Sequence, residues 1–256
     1  MKQIGKQIKY WYRKYVPEII RITIRRFIPF WVQIRYFNIL TKNFDFDVQG
    51  HGEAKKLLQI CTELNISNGY YVDIGASDGW TSSSTFPFAR SSNFSGLSVE
   101  LDDKKFKKMQ YIYKNFQNAH LSKTKVTPSN ILDLLNEFGV PQNFDILNLD
   151  IDSYDLFVIS NLLQSFRPKI VSMEINEKIP PPIYFTVNYD ENHYWKGDHF
   201  FGCSLQAAHE ELSKFGYKLY TVIYNNAIFI SNDLNIKFLD LTLTEFYEIG
   251  YVNKLD

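Results

Sequence analysis

Four short apolar runs recur along the chain: GYYVDIG (69–75), FSGLSVEL (94–101), NFDILNLDI (143–151) and KIVSMEIN (169–176). Each is too short for a helix and carries apolar residues at both odd and even positions, the pattern of a strand covered on both faces. Helical periodicity fills most of the intervals, in HGEAKKLLQICTELNI (51–66), DDKKFKKMQYIYKNF (102–116), TPSNILDLLNEFGV (127–140) and SYDLFVISNLLQSF (153–166). In the first of these Ala54, Leu57, Leu58, Cys61 and Leu64 share one side, and Thr127 or Ser129 is placed to cap the third. WTSSSTFPFAR (80–90) reads as a helix start that stops near Pro87, and NAHLSKTKV (118–126) as a weak strand. SLQAAHEELSKFG (204–216) is a further helix, and YKLYTVIYNNAIFISN (217–232) two strands joined at Asn225 and Asn226. Strand–helix alternation of this kind predicts an α/β domain with a mostly parallel sheet, helices on both faces and an antiparallel terminal hairpin.

At 256 residues, with 45% hydrophobic and 22% charged side chains, the chain suffices for one sizeable core. Its two cysteines, Cys61 and Cys203, form no CxxC pattern, which argues against a disulfide framework or a zinc site and for a reducing compartment. No apolar run approaches the roughly 20 residues that span a bilayer. The formal net charge of zero hides a division. Residues 1–42 hold ten Lys or Arg and one acid, a net +9, so the other 214 carry −9. A helical, basic, aromatic extension over 1–44 is therefore set apart from a domain over 45–256. On a helical wheel Ile4, Ile8, Trp11, Tyr15 and Ile22 oppose Lys2, Lys6, Lys9 and Arg13. Such an arm suits packing on the domain or a second subunit, or docking on an anionic membrane surface; nucleic acid is the less favoured partner. The expected location is cytoplasmic, with peripheral membrane attachment through residues 1–42.

The first apolar run ends in VDIGASDG. In an open parallel sheet, ligands bind beyond the carboxyl ends of the strands. Gly75 and Gly79 permit close backbone approach, and a helix starting near Trp80 or Thr81 would offer free N–H groups. Asp73 stands just before the turn. A carboxylate there disfavours a pyrophosphate, and GASDG lacks the GxGxxG spacing of dinucleotide sites. It favours a ligand with an amino-acid or sulfonium part, which describes S-adenosylmethionine. Glu100 ends the next strand, where a carboxylate can accept bonds from ribose hydroxyls.

VDIGASDG, then VELD, then FDILNLDIDSYD resembles the class I methyltransferase fold, and the FkbM-like branch in particular. The resemblance covers roughly residues 50–232 and extends weakly to WKGDHFFGCSL. It implies a Rossmann-like fold with a seven-stranded sheet, S-adenosylmethionine as methyl donor, and O-methylation of a sugar, glycan or related small molecule. It also implies that Asp73, Gly75, Ala76, Ser77, Asp78 and Gly79 line the methionine end of the cofactor, Glu100 the ribose, and Lys125 and Val126 the adenine side. The chain departs from the family pattern at Ser77, where the middle glycine of GxGxG is usual, at Ser153, where glycine follows IDID, and at His199, where an acid is usual.

The chemistry is expected at the acidic strand ends. Asp150 and Asp152 follow one buried strand and Glu174 ends the next. A hydroxyl acceptor needs a base or a metal ion to release its proton; clustered carboxylates supply the first or hold Mg²⁺ through oxygen ligands. His199, with His193, lies in the long irregular stretch 177–202 that should cover the site, and either suits a base near neutral pH. His51, His120 and His209 read as structural or solvated, and Cys203 as a small buried thiol. Three other readings stay open: an RNA-modifying methyltransferase, a nicotinamide-dependent oxidoreductase, and a membrane-bound scaffold that has lost catalysis.

Overall fold

A computed structural model describes residues 51–254, Ser82 excepted. The basic arm over 1–44 lies outside the described residues. Seven strands, β1 (Gly69–Ile74), β2 (Phe94–Val99), β3 (Ala119–Ser122), β4 (Ile146–Leu149), β5 (Ile170–Glu174), β6 (Tyr217–Ile223) and β7 (Asn226–Ser231), form one sheet in the order β3-β2-β1-β4-β5-β7-β6. All pairings among β1–β5 are parallel, and β7 runs antiparallel to both β5 and β6. This is the expected Rossmann-like α/β fold.

Among the described residues seven α-helices accompany the sheet: α1 (Glu53–Glu63), α2 (Phe86–Ala89), α3 (Asp103–Tyr113), α4 (Ile131–Glu137), α5 (Asp155–Leu162), α6 (Leu205–Lys214) and α7 (Leu243–Gly250). Strand alternation divides the core. Val72, Ile74, Leu97, Val99, Leu147, Leu149, Val171 and Met173 point to one face and cluster with buried residues of α4–α7. Tyr71 points the other way; it is buried outside that cluster, as are Leu57 and Ile60 of α1, Phe88 of α2 and Met109 of α3. Full burial of each such side chain stabilises the domain by about 2 kcal/mol.

Local chemistry departs from expectation at five places. No helix starts at Trp80 or Thr81; the Asp78 carboxylate accepts both of those N–H groups, as a helix cap would, but the turn it closes is not continued. Leu58 of α1 is exposed and Ile60 takes its place in the core. The N-cap of α4 is Asn130, whose Oδ1 accepts the Thr127 N–H, so neither Thr127 nor Ser129 caps that helix. The hairpin turns at Tyr224 and Asn225, one residue earlier than expected, leaving Asn226 as the first residue of β7. The sequence reading also left α7 out, although Thr242 and Glu245 form a reciprocal capping box at its start. No helix among the described residues is long and apolar enough to cross a membrane.

Candidate functional site

The strand order reverses between β1 and β4, and a cavity of about 730 Å³ opens there beyond the carboxyl ends of the strands. One half is walled by the β1 turn, the end of β2 and the segment after β3: Asp73, Gly75, Ala76, Ser77, Glu100, Lys125 and Val126 all line it. Asp78 and Gly79, assigned to the cofactor from the sequence, do not line the cavity. Asp78 holds the turn together, and Gly79 is packed so closely that a Cβ would lie 2.7 Å from Met109 Cγ and 2.9 Å from Tyr113 Cε1. The Tyr113 hydroxyl donates to the Gly79 carbonyl at 2.8 Å. Gly75 likewise serves protein packing: a Cβ there would fall 1.6 Å from the Asp150 carbonyl oxygen, and its φ is +85°. Ser77, which replaces a glycine of the family pattern, takes the left-handed backbone that glycine favours, with φ +53°.

Asp73 does not stand open to a ligand. It is 2% exposed; Oδ2 accepts from the Thr85 hydroxyl at 2.5 Å and Oδ1 from the Asn148 amide at 2.9 Å. Burial pushes its carboxyl up to about 6, against the opposing pull of these two bonds. Thr85 and Asn148 were not singled out from the sequence, although an asparagine inside the apolar run ILNL is a signal of a buried polar contact. Glu100 Oε1 accepts the Asp102 N–H at 2.7 Å, and Asp102 in turn caps α3 through the N–H groups of Lys104 and Lys105. The cap thus fixes Glu100 at the cavity wall. The carbonyls of Lys125 and Val126 accept from the Asn130 amide and the Tyr154 hydroxyl, which fixes the opposite wall.

The second half is acidic. Asp150 and Asp152 line it, and Glu174 stands behind them, 5% exposed. One carboxylate oxygen from each of the three lies within 4.8 Å of the others. Asp152 has φ +54°, a conformation that aspartate tolerates better than most residues. The loop is clamped by Asp155, whose two oxygens accept the Ile151 and Ser153 N–H groups at 2.9 and 3.0 Å. Burial first, and then the neighbouring carboxylates, push Asp150 and Glu174 well above the usual carboxylate range. Asn225 in the hairpin turn donates to Glu174 Oε1 at 2.9 Å.

The hairpin and the start of α1 bring further residues that were not expected from the sequence. Tyr224, Asn225 and Asn226 of the first and His51 and Glu53 of the second line the cavity. Tyr224 occupies φ +55°, where a bulky side chain costs about 1–3 kcal/mol. It is held there by its N–H bond to the Gly250 carbonyl at 2.8 Å and by stacking on His51, 3.9 Å between centroids. His51, expected to be structural or solvated, is thus part of the wall. No local pattern marks these residues, because the segments are joined only by folding.

The long segment before α6 is anchored where Thr186 bridges to Cys203. It brings His193 to the cavity, with its ring Nδ1 2.8 Å from the Ser153 hydroxyl. His199, the histidine favoured from the sequence, is exposed and does not line the cavity; its backbone carbonyl accepts from the Asn176 amide at 2.8 Å. Cys203 is fully buried, and burial pushes its thiol well above its ordinary value.

No curated protein matches this sequence. Among solved structures, the N-terminal domain of EvdMO1, crystallised with SAH and D-fucose, is similar at 9% identity and a TM-score of 0.46, over 70% of this chain and 82% of that one. The CurJ carbon methyltransferase gives 12% and 0.47, over 72% and 54%. Magnesium protoporphyrin IX methyltransferase from Synechocystis PCC 6803, with bound SAH, gives 11% and 0.42, over 70% and 82%. These likenesses are distant, and the fold assignment rests on the sheet order itself. The profile of the methyltransferase FkbM domain, by contrast, matches residues 43–219, more than half of the sequence, and the chain belongs to that family.

Proposed function

We propose that the protein transfers the methyl group of S-adenosylmethionine to a hydroxyl of a sugar, glycan or related small molecule. The observation that carries this reading is the division of one cavity into two chemically different halves. The half with the turn after Asp73 and with Glu100 suits an amino-acid-bearing nucleoside. The half with Asp150, Asp152 and Glu174 suits a polar acceptor that must lose a proton. In the transfer, the acceptor oxygen attacks the methyl carbon in line with sulfur. The carbon–sulfur bond breaks with its electron pair going to sulfur, leaving the neutral thioether, and the hydroxyl proton passes to a carboxylate oxygen of the acid cluster. The sulfonium is already activated, so the side chains position the acceptor and receive the proton. A ring-bearing acceptor would find the Tyr224–His51 stack in the same wall.

Calorimetric titration of the full chain with S-adenosylhomocysteine, beside NADH, tests the cofactor. Saturable micromolar binding of the first alone is expected, and a folded protein that binds neither sinks the reading. Acceptors are then screened with S-adenosylmethionine carrying a labelled methyl group, sugars before RNA. Transfer to RNA but to no sugar would replace the acceptor class. The basic arm is tested separately, by co-sedimentation with anionic vesicles, where binding is expected to fall as salt rises.

A further inference from the structure

Asp150, Asp152 and Glu174 converge from the ends of two neighbouring strands, and one carboxylate oxygen from each lies within 4.8 Å of the others. Like charges held together away from water need a positive partner, which is either a proton or a cation. Two observations favour the cation. Glu174 is 5% exposed and is oriented by Asn225 through Oε1, yet its Oε2 meets no N–H or O–H donor among the described residues, and the side chain lies against the Asp150 carboxyl, a second acceptor. Asn148, 7% exposed, stands two residues before Asp150 near the end of β4 and lines the same cavity, and its Oδ1 is also without a hydrogen-bond partner among the described residues. Both unpartnered atoms are oxygens, and the three clustered groups offer oxygen only.

We propose that Asp150, Asp152 and Glu174 bind a hard divalent cation of the Mg²⁺, Mn²⁺ or Ca²⁺ class, which takes the acceptor hydroxyl as a further ligand. Oxygen-only donors select such ions over zinc. Metal–oxygen distances of about 2.0–2.6 Å put opposed ligands about 4–5 Å apart, which matches the spacing of the three oxygens. Each carboxylate gives the ion one oxygen and keeps another, so the acceptor's proton still has a destination. The ion's role as acceptor ligand rests on the methyl-transfer reading above, whereas its binding does not.

The test uses the full chain stripped with EDTA and desalted, titrated calorimetrically with Mn²⁺ and then with Mg²⁺ and Ca²⁺ in competition. One equivalent of Mn²⁺ is expected, displaced by the other two ions. Asp152→Asn retains a residue that tolerates the left-handed backbone, and Glu174→Gln retains an acceptor for Asn225. Each is expected to weaken Mn²⁺ at least tenfold while leaving the circular dichroism spectrum unchanged. No Mn²⁺ binding at millimolar concentration by a folded wild-type protein overturns the proposal in favour of a shared proton. Undiminished binding in both variants overturns it by placing the ion elsewhere. Titration with S-adenosylhomocysteine on the same samples keeps the two failures apart, because loss of the cofactor reading appears there and not in the Mn²⁺ isotherm.

Discussion

On the β1 side of the cavity the buried acid is satisfied from within the protein: Asp73 accepts from Thr85 and Asn148 and draws little from its charged neighbours. On the side of the acid cluster Glu174 is nearly as buried, yet one of its oxygens meets no donor among the described residues and its neighbouring charges have its own sign. The contrast separates two uses of a strand-end carboxylate. Asp73 ties β1 to β4 and to the residue preceding α2, so it shapes the turn that faces a ligand. Glu174 instead stands among the carboxyls of Asp150 and Asp152, and the cation proposed above would complete the group. A carboxylate with all its bonds made is scaffold, and one left short of them is chemistry.

The largest expected effect removes the distinction altogether. Gly75→Ala puts a Cβ onto the Asp150 carbonyl at a φ of +85°, and urea unfolding should show a loss of more than about 3 kcal/mol. A loss below about 1 kcal/mol would mean that the β1 turn moves freely away from the acid loop.

Next, paired variants separate the halves. Asp150→Asn should reduce methyl transfer about 100-fold or more while leaving S-adenosylhomocysteine affinity within about twofold, whereas Glu100→Gln should weaken that affinity about tenfold. If both variants shift the two measurements in parallel, the halves are not functionally distinct.

Asp73 carries a smaller signal, read as pH dependence. Its folded carboxyl titrates at about 6 against an ordinary 3.8, so the stabilisation from holding its proton is complete below the lower value and is lost as pH rises through the upper one. In the Asp73→Asn variant the new amide can donate to the unpartnered Asn148 Oδ1 once that amide turns over, while its oxygen still accepts from Thr85. Between pH 4 and pH 7 the stability difference should therefore move in the variant's favour by about 2 kcal/mol. A flat difference across that window would show that Asp73 is ionised throughout.

Smallest of all, His199→Ala should leave turnover unchanged, because that ring does not line the cavity; a tenfold loss would return it to the site.

The parts visible in the sequence were those encoded over short distances. The apolar runs, the glycine turn with Asp73, the acid at the end of β2 and the pair Asp150 and Asp152 are each contiguous, and hydrophobic periodicity with strand-end position is enough to locate them. The hidden parts depend on chain segments meeting. His51 and Tyr224 are separated by most of the domain, and nothing in either neighbourhood announces a stack between them. The β1 turn misled in a different way: Asp78 reads as a ligand to the cofactor, but its geometry lets it accept the Trp80 and Thr81 N–H groups before any cofactor could. His193 and His199 could not be ranked by composition, since only the fold of the segment before α6 decides which ring turns inward. In α7 the signal, Thr242 with Glu245, was present and simply not read.

Gly75 meets the Asp150 carbonyl with no spare distance, and that contact joins the two halves mechanically. Slack is what lets neighbouring parts of a protein respond separately, and here there is none. The β1 turn and the peptide that carries Asp150 therefore hold their relative positions as one piece, and neither can shift toward the other. The missing methyl group at residue 75 is thus less a concession to a ligand than the clearance of a bearing.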